Sequence, residues 1–312
     1  MAVEFEPFEV PGARSYFGHA LPYGLQVKQK GDNGNAPPVA ESAAALRALG
    51  ESGRLQELLE RHGAVLVRGA GQPSAETFSR LVGAAERGRG SLPHVQIGLA
   101  GKRTPLAENV WTANEGSPST RFYQHNERPK SLTFPRHAGG ATPIANSANV
   151  FEKVQAEIPE LVEEIRKRGL GMKMIFRAPG DEAKVNQFNW AGEHSFGQEL
   201  LPGDDEATTR EKVERQVRRL TSDFKWNADG SLELTQHIPD LPCVYGDETP
   251  IPRELLDKLI EVIDKEEISL VLEEGDLLLV DNFQVSHGRE PWEGDRQILV
   301  SMWDASTPIG VF

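Results

Sequence analysis

The chain is poor in cysteine, in long apolar runs and in basic charge, and each shortage excludes a class of protein. Its 312 residues contain one cysteine, Cys243, which excludes an internal disulfide framework and a multi-cysteine zinc site. No apolar run reaches the roughly 18 residues that a membrane-spanning helix needs. The first residues, MAVEFEPFEVPG, lack the pattern of a secretory signal. We therefore expect a cytoplasmic protein.

The charge balance narrows the class of partner. The chain has 34 Lys and Arg against 47 Asp and Glu, a formal net charge of -13. Nucleic acids and anionic membranes both bind basic surfaces, so neither is expected as a partner. The charge balance says nothing positive about the substrate. The oligomeric state is left open, a homo-oligomer included.

The apolar pattern predicts an α+β fold with a mainly β core. Residues 1–44 are interpreted as an N-terminal arm, and residues 1–40, rich in Gly, Pro and Asn, are expected to be loosely structured. Residues 45–312 are expected to form a single domain with helical insertions. AVLVRG (64–69) and LLLV (277–280) are typical of buried strands, and Pro159 is expected to begin a helix. The stretch 106–124 is expected to be irregular.

The stretch FYQHNERPKSLTFPRHAGGATPIANS, residues 122–147, raises the question of a metal site. In a strand, residues two apart point to the same side, so His125 and Glu127 would project together and Asn126 away from them. With a second histidine they would form the 2-His-1-carboxylate arrangement of non-haem Fe(II) oxygenases. With 8 His and 47 acids in 312 residues, chance predicts about one His-x-Asp/Glu, and one occurs. A strand histidine near a surface acid is therefore the alternative.

The C-terminal stretch EEGDLLLVDNFQVSHGREPWEGDRQILVSMWD adds a histidine and an arginine. His287 follows the buried strand LLLV, and Arg296 opens a second apolar strand. If the two strands pair, His287 and Arg296 lie near each other across the sheet. An arginine in an apolar strand is costly unless it is paired, and a bound dicarboxylate would be such a partner. A structural salt bridge to a local acid is the alternative.

Three motifs in this order, QHNE, GGATPIA and DNFQVSHGREPWEGDRQILVSMW, resemble the TauD/TfdA-type family of Fe(II)/2-oxoglutarate-dependent oxygenases. The resemblance covers roughly residues 45–305 and is greatest to the clavaminate-synthase-like and syringomycin-biosynthesis-like branch, which uses His-x-Glu. It implies a double-stranded β-helix (jelly roll) with flanking helices. It also implies that His125, Glu127 and His287 bind the iron, and that Thr142 and Arg296 bind 2-oxoglutarate.

The activity implied by the resemblance is activation of a C–H bond in a small metabolite, with dioxygen consumed and succinate and CO2 released. An amino-acid-derived substrate is favoured, and the outcome is hydroxylation, or desaturation or cyclisation. Glu127 argues against halogenation, because halogenating relatives lack that carboxylate. Val300 stands where taurine dioxygenase has a further arginine, so taurine is not expected. Trp111, Asn114 and Arg289 are the candidate substrate contacts.

Two other functions are compatible with the residues. One is a jelly-roll metal enzyme of another class, such as a cupin-like isomerase or hydrolase. The other is a non-catalytic β-sandwich binding module, in which His125→Ala would leave function intact. Thr142 and Arg296 discriminate, because only a 2-oxoglutarate user needs an anion site beside the iron.

Overall fold

A computed structural model describes most of the chain, and all structural statements below refer to those residues. They are residues 3–28, 37–95, 97–98, 103–113, 119, 121–126, 130–137, 141–180, 189–192, 195–236, 244–294 and 296–305. The helices are α1 (Val39–Glu51), α2 (Arg54–His62), α3 (Ala75–Gly88), α4 (Ser147–Glu157), α5 (Pro159–Arg168), α6 (Glu206–Val217) and α7 (Arg253–Glu266).

The strands fall into a long N-terminal and a C-terminal series. The strands before α4 are β1 (Glu4–Phe8), β2 (Arg14–Tyr16), β3 (His19–Leu21), β4 (Tyr23–Lys28), β5 (Ala64–Arg68), β6 (Leu92–Pro93), β7 (Pro105–Ala107), β8 (Val110–Thr112), β9 (Phe122–His125), β10 (Lys130–His137) and β11 (Thr142–Asn146). The later strands are β12 (Leu170–Phe176), β13 (Phe224–Trp226), β14 (Leu232–Gln236), β15 (Val244–Tyr245), β16 (Ile268–Leu270), β17 (Leu277–Val280), β18 (Val285–Arg289) and β19 (Gln297–Asp304).

Two sheets build the core. The large sheet has the order β1-β4-β5-β17-β10-β19-β8-β7, with β6 also beside β19, and the small sheet has the order β16-β11-β18-β9. Ile144 and Val285 of the small sheet share one buried cluster with Leu66 and Leu278 of the large sheet, so the two sheets face each other. This arrangement, with helices outside it, confirms the predicted double-stranded β-helix.

The buried strands β5 and β17 show why their sequences are continuously apolar. Leu66 of β5 pairs with Leu278 of β17, and both pack between the sheets. Val65 pairs with Leu279, and both pack on the opposite face, against α1, α2 and α3. Successive side chains point to opposite faces, so a strand covered on both sides needs apolar residues at every position. Each such side chain contributes about 1.5–3 kcal/mol through burial.

Two sequence-based expectations are wrong. The described residues 3–28 are not loosely structured, because β1 and β4 extend the large sheet beside β5. The stretch 106–124 is not simply irregular, because it includes β8, the end of β7 and the beginning of β9. Pro159 does begin a helix, α5, as predicted. The division of the chain into an arm and a single domain stays a prediction.

The helical insertion between β11 and β16 carries a third sheet. Its strands have the order β13-β14-β12-β15, and α6 packs on it through Val213 and Val217. No helix within the described ranges is both long and apolar enough to cross a bilayer.

Candidate active site

His125 and His287 are brought together by the small sheet. His125 ends β9, His287 lies in β18, and the two residues are register partners across these antiparallel strands. Their ring centroids are 4.6 Å apart, and both side chains are half-buried. The structure thus places two of the three predicted metal ligands side by side.

The hydrogen bond of His125 shows which ring nitrogen can bind a metal. Its Nδ1 lies 2.9 Å from the backbone carbonyl oxygen of Tyr123. A carbonyl oxygen only accepts, so Nδ1 carries the proton and Nε2 keeps the lone pair. A donor bond from the non-ligating nitrogen to a carbonyl is the usual support of a metal-binding histidine. The local geometry of His125 therefore fits a metal ligand.

The third predicted ligand, Glu127, lies outside the described residues. Within the described part of the chain, no group of three or more His, Cys, Asp and Glu side chains is arranged to hold a metal ion. A complete triad therefore needs a ligand from the remaining residues. Glu127 follows His125 by two positions and remains the predicted carboxylate.

Asn126 anchors the end of the histidine-bearing strand β9. Its Nδ2 donates to the carbonyl oxygen of Asn282 at 2.6 Å and to the hydroxyl of Ser147 at 3.1 Å. These bonds connect the end of β9 to the turn before β18 and to the first residue of α4. The sequence predicted only that Asn126 projects away from His125 and Glu127. The Asp-Asn turn after LLLV was the signal available for this contact.

Arg296 and Thr142 also meet, but not in the way the sequence predicted. Arg296 directly precedes β19, which lies in the large sheet, whereas His287 lies in β18 of the small sheet. The LLLV strand, β17, does not pair with β19 as expected, because β10 lies between them in the large sheet. Instead, Nη2 of Arg296 donates to the hydroxyl of the buried Thr142 at 3.2 Å. Thr142 lies on β11, two residues from Ile144, the register partner of His287. Thr142 and Arg296 therefore meet because the two sheets face each other, and not because their strands pair.

Arg296 carries an unmet hydrogen-bonding capacity. Its Nε is buried and has no hydrogen-bond partner, and no ion pair to its guanidinium occurs, within the residues described. Burial, with a smaller effect of the Arg289 charge, lowers the pKa of Arg296 to about 10. The group therefore stays protonated at neutral pH. A buried donor left without an acceptor costs about 1–3 kcal/mol, which a bound carboxylate would recover. The site fits the distal carboxylate of 2-oxoglutarate.

The candidate substrate contacts have different surroundings. Trp111 lies on β8, where it pairs with Val300 of β19. It therefore belongs to a strand and not to the loop that the sequence predicted. Arg289, on β18, is the register partner of Phe122 on β9, and burial lowers its pKa. Asn114 lies outside the described residues.

A charged network that the sequence analysis missed supports the beginning of β9. Arg121 Nη2 binds Asp264 at 2.8 Å and Glu267 at 3.1 Å, and its Nε lies 2.9 Å from Glu290. Gln124 also donates to Glu267, at 3.2 Å. Burial raises the pKa of Glu267 above its ordinary value. These contacts tie β9 to the end of α7 and to the segment after β18, through pairs too distant in sequence to predict.

Comparison with known proteins identifies the family. The model of the family "Taurine catabolism dioxygenase TauD, TfdA family" matches residues 39–303. A clavaminate synthase-like protein of Arabidopsis thaliana is 25% identical over 290 residues, which cover 80% of this chain and 83% of that protein. The dapdiamide synthesis protein DdaC of Enterobacter agglomerans is 25% identical over 306 residues, which cover 81% and 86% of the two chains.

Solved structures resemble the chain more weakly. PvcB of Pseudomonas aeruginosa has a TM-score of 0.44 and 15% identity, with 96% of this chain and 91% of that chain covered. The family assignment does not depend on this similarity. It depends on the family match, which includes both histidines, Thr142 and Arg296. The chain belongs to the TauD/TfdA dioxygenase family, which confirms the predicted enzyme class, an Fe(II)/2-oxoglutarate-dependent dioxygenase, and its cofactors.

Proposed function

We propose that this oxygenase activates a C–H bond of a small, amino-acid-derived metabolite and releases succinate and CO2 from 2-oxoglutarate. The observation that carries the proposal is the half-buried Arg296, whose guanidinium donates to the Thr142 hydroxyl. Thr142 lies on β11, the strand next to the one that carries His287. Nε of Arg296 has no acceptor among the described residues, so a ligand carboxylate is the natural partner.

The iron ligands in this proposal are His125, Glu127 and His287. Nδ1 of His125 donates a hydrogen bond to a backbone carbonyl, which leaves Nε2 for the metal. His287 is the register partner of His125, so one pair of neighbouring strands supplies both nitrogens. When bound, Fe(II) with 2-oxoglutarate and dioxygen supplies the oxidising chemistry that removes hydrogen from the substrate.

The co-substrate is oriented by Arg296 and Thr142. A guanidinium offers several N–H donors in one plane and suits a carboxylate better than a point charge does. The Thr142 hydroxyl holds Nη2 of that guanidinium and limits its rotation. Fixing one end of 2-oxoglutarate directs its other end, which lowers the entropic cost of reaching the reactive arrangement. A cupin-like isomerase or hydrolase has no need for this anion site.

The substrate class is proposed from the relatives and from the wall of the site. DdaC is a dapdiamide synthesis protein, which supports a role in secondary metabolism. Trp111, Asn114 and Arg289 are the proposed substrate contacts. Trp111 lies on β8, next to the strand that follows Arg296, and its half-buried side chain is consistent with this role. The product is an alcohol, or the result of desaturation or cyclisation.

The test is an anaerobic spectrum of the metal-free protein after addition of Fe(II) and 2-oxoglutarate. We expect a visible charge-transfer band that weakens or disappears in His125→Ala, Glu127→Ala and Arg296→Ala. A substrate screen then follows, scored by succinate release and product mass. Absence of the band from folded wild-type protein would overturn the proposal.

A further inference from the structure

The segment between β18 and β19 holds a tryptophan between two arginines. It runs from Glu290 to Arg296, and Trp292 is half-buried within it. Pro291 restricts the backbone before Trp292, and Gly294, with φ of +75°, makes the turn after it. Neither the metal site nor the 2-oxoglutarate site described above uses this side chain.

Trp292 contacts both guanidinium groups of the site. The guanidinium carbon of Arg289 lies 4.5 Å from the Trp292 ring centroid, and that of Arg296 lies 5.4 Å from it. Arg289 also lies 4.2 Å from the ring of Phe122, its register partner on β9. All three distances are within the range of cation–π attraction. Phe122, Arg289, Trp292 and Arg296 therefore form a continuous chain of contacts, which we term the aromatic–arginine column.

The column holds the positive charges of Arg289 and Arg296 near each other in a partly buried site. Two guanidiniums repel, and the repulsion grows as water is removed. A carboxylate between them would reduce the repulsion, but it would also occupy the N–H donors that a ligand needs. An aromatic ring attracts the face of a guanidinium and leaves its edge donors available. An indole is therefore suited to hold an arginine that must bind an anion.

We propose that Trp292 is a positioning residue that orients Arg296 for the distal carboxylate of 2-oxoglutarate. Arg296 then has two supports, the ring of Trp292 and the hydroxyl of Thr142. Through Arg289 and Phe122 the same column connects Arg296 to β9, the strand that carries His125. This inference rests on the proposed function, because it requires that Arg296 binds 2-oxoglutarate.

The experiment is an anaerobic titration of the Fe(II) protein with 2-oxoglutarate, followed by the charge-transfer band. Trp292→Leu is expected to raise the Kd by about 5- to 30-fold, the equivalent of about 1–2 kcal/mol. Trp292→Phe keeps an aromatic face and should recover most of the affinity. Because only the binding of Arg296 to the carboxylate changes, kcat for the 2-oxoglutarate turnover should fall far less than KM rises.

A ligand without the distal carboxylate distinguishes a loss of Arg296 positioning from a general disorder of the site. 2-Oxopentanoate has the metal-binding end of 2-oxoglutarate but no second carboxylate. Wild type and Trp292→Leu should bind it equally, whereas the variant should gain less affinity than wild type from the second carboxylate. An equal loss of affinity for both 2-oxo acids would overturn the positioning role, as would an unchanged Kd for 2-oxoglutarate.

Trp226→Leu is a matched control. Trp226 is also half-buried and also lies under an arginine, Arg210, at 5.1 Å, but in the third sheet. Its loss should leave both Kd values unchanged. If Trp292→Leu does not fold by circular dichroism, Trp292→Met, whose longer unbranched side chain adapts to irregular gaps, replaces it in the comparison with Trp292→Phe. If wild type itself shows no band, the proposed function fails, and not merely the role of Trp292.

Discussion

His125 and His287 are register partners on adjacent antiparallel strands, with their rings 4.6 Å apart. This pairing brings together nitrogen donors from two distant parts of the chain. Because a hydrogen-bonded pair of strands sets their separation, metal binding should depend equally on both residues and should stabilise the folded state that creates the site.

The first prediction concerns metal and stability. Fe(II) under anaerobic conditions should raise the Tm of wild type, since a ligand at 100 times its Kd stabilises the native state by about 2.7 kcal/mol. A chelator should reverse the shift, and His125→Ala and His287→Ala should show none. Differential scanning fluorimetry measures this directly.

The control for that experiment is His94→Ala. His94 is partly exposed, and its Nδ1 lies 3.0 Å from the Asp304 carboxylate, beside β19 of the large sheet and not in the small sheet of the histidine pair. This variant should keep the full shift. A normal shift in His125→Ala would exclude that residue as a ligand.

The second prediction concerns the anion site. Arg296→Gln should raise the Kd of 2-oxoglutarate by about 30-fold or more, because removing one partner of a desolvated charge pair costs about 2–5 kcal/mol. Arg296→Lys should rescue little, since an ammonium lacks the planar set of donors. Thr142→Val removes a single hydrogen bond and should raise the Kd by about 2- to 12-fold. Titration of the charge-transfer band gives all three values.

A distant arginine serves as the reference for these variants. Arg210 is exposed on α6, with 47% of its side chain accessible, and pairs with Glu206. Arg210→Gln should bind 2-oxoglutarate like wild type. Wild-type affinity in Arg296→Gln would show that another group holds the distal carboxylate.

The third prediction concerns the anchor at the end of β9. Asn126→Ala removes the donor to the Asn282 carbonyl and to Ser147, and should lower the free energy of unfolding by about 1–3 kcal/mol. Asn126→Asp should not rescue, because a carboxylate cannot donate to a carbonyl oxygen. Urea denaturation measures the loss, and an unchanged midpoint in both variants would show that these bonds contribute nothing net.

The fourth prediction concerns pH. Burial raises the pKa of Glu267 above its ordinary value of 4.5. The native state therefore holds this proton more tightly than the unfolded chain does, and the resulting stability is present at low pH and lost as pH rises through the raised pKa. Glu267→Gln has no such proton. The stability of the variant relative to wild type should therefore increase as pH rises from about 4.5 towards neutrality.

Urea unfolding of wild type and Glu267→Gln at several pH values in that range tests the prediction. The substitution keeps the size of the side chain, but it removes the charge that faces Arg121. Loss of that ion pair changes the free energy of unfolding by a constant amount once both groups are charged. Loss of the titrating proton instead changes how the free energy of unfolding depends on pH. A difference in free energy that does not change with pH would contradict the assignment.

Much of the fold was predictable because its signals are local. AVLV and LLLV are apolar at every position, as strands buried on both faces must be, and they became β5 and β17 at the centre of the large sheet. Pro159 began a helix because its backbone is already suited to a first turn. The order of the QHNE, GGATP and HGRE motifs indicated the family that the family match confirmed.

Other features depended on pairing between distant residues, which local patterns do not encode. The Gly- and Pro-rich N-terminus looked loosely structured, yet β1 and β4 are ordered by the edge of the large sheet. Trp111 looked like a loop residue because β8 is three residues long and gains its order from β19.

The candidate site likewise combines features that the sequence predicts with features that depend on contacts between distant residues. The sequence by itself determined which residues have the chemistry to bind iron and a dicarboxylate, because imidazole, carboxylate and guanidinium are properties of single side chains. Only the tertiary structure decided that β18 and β19 lie in facing sheets, and that Thr142 meets Arg296 across them. Only it placed Trp292 against two arginines. The physical reason is that contacts of this kind follow from how two sheets pack, and packing is a property of the whole core and not of any one segment.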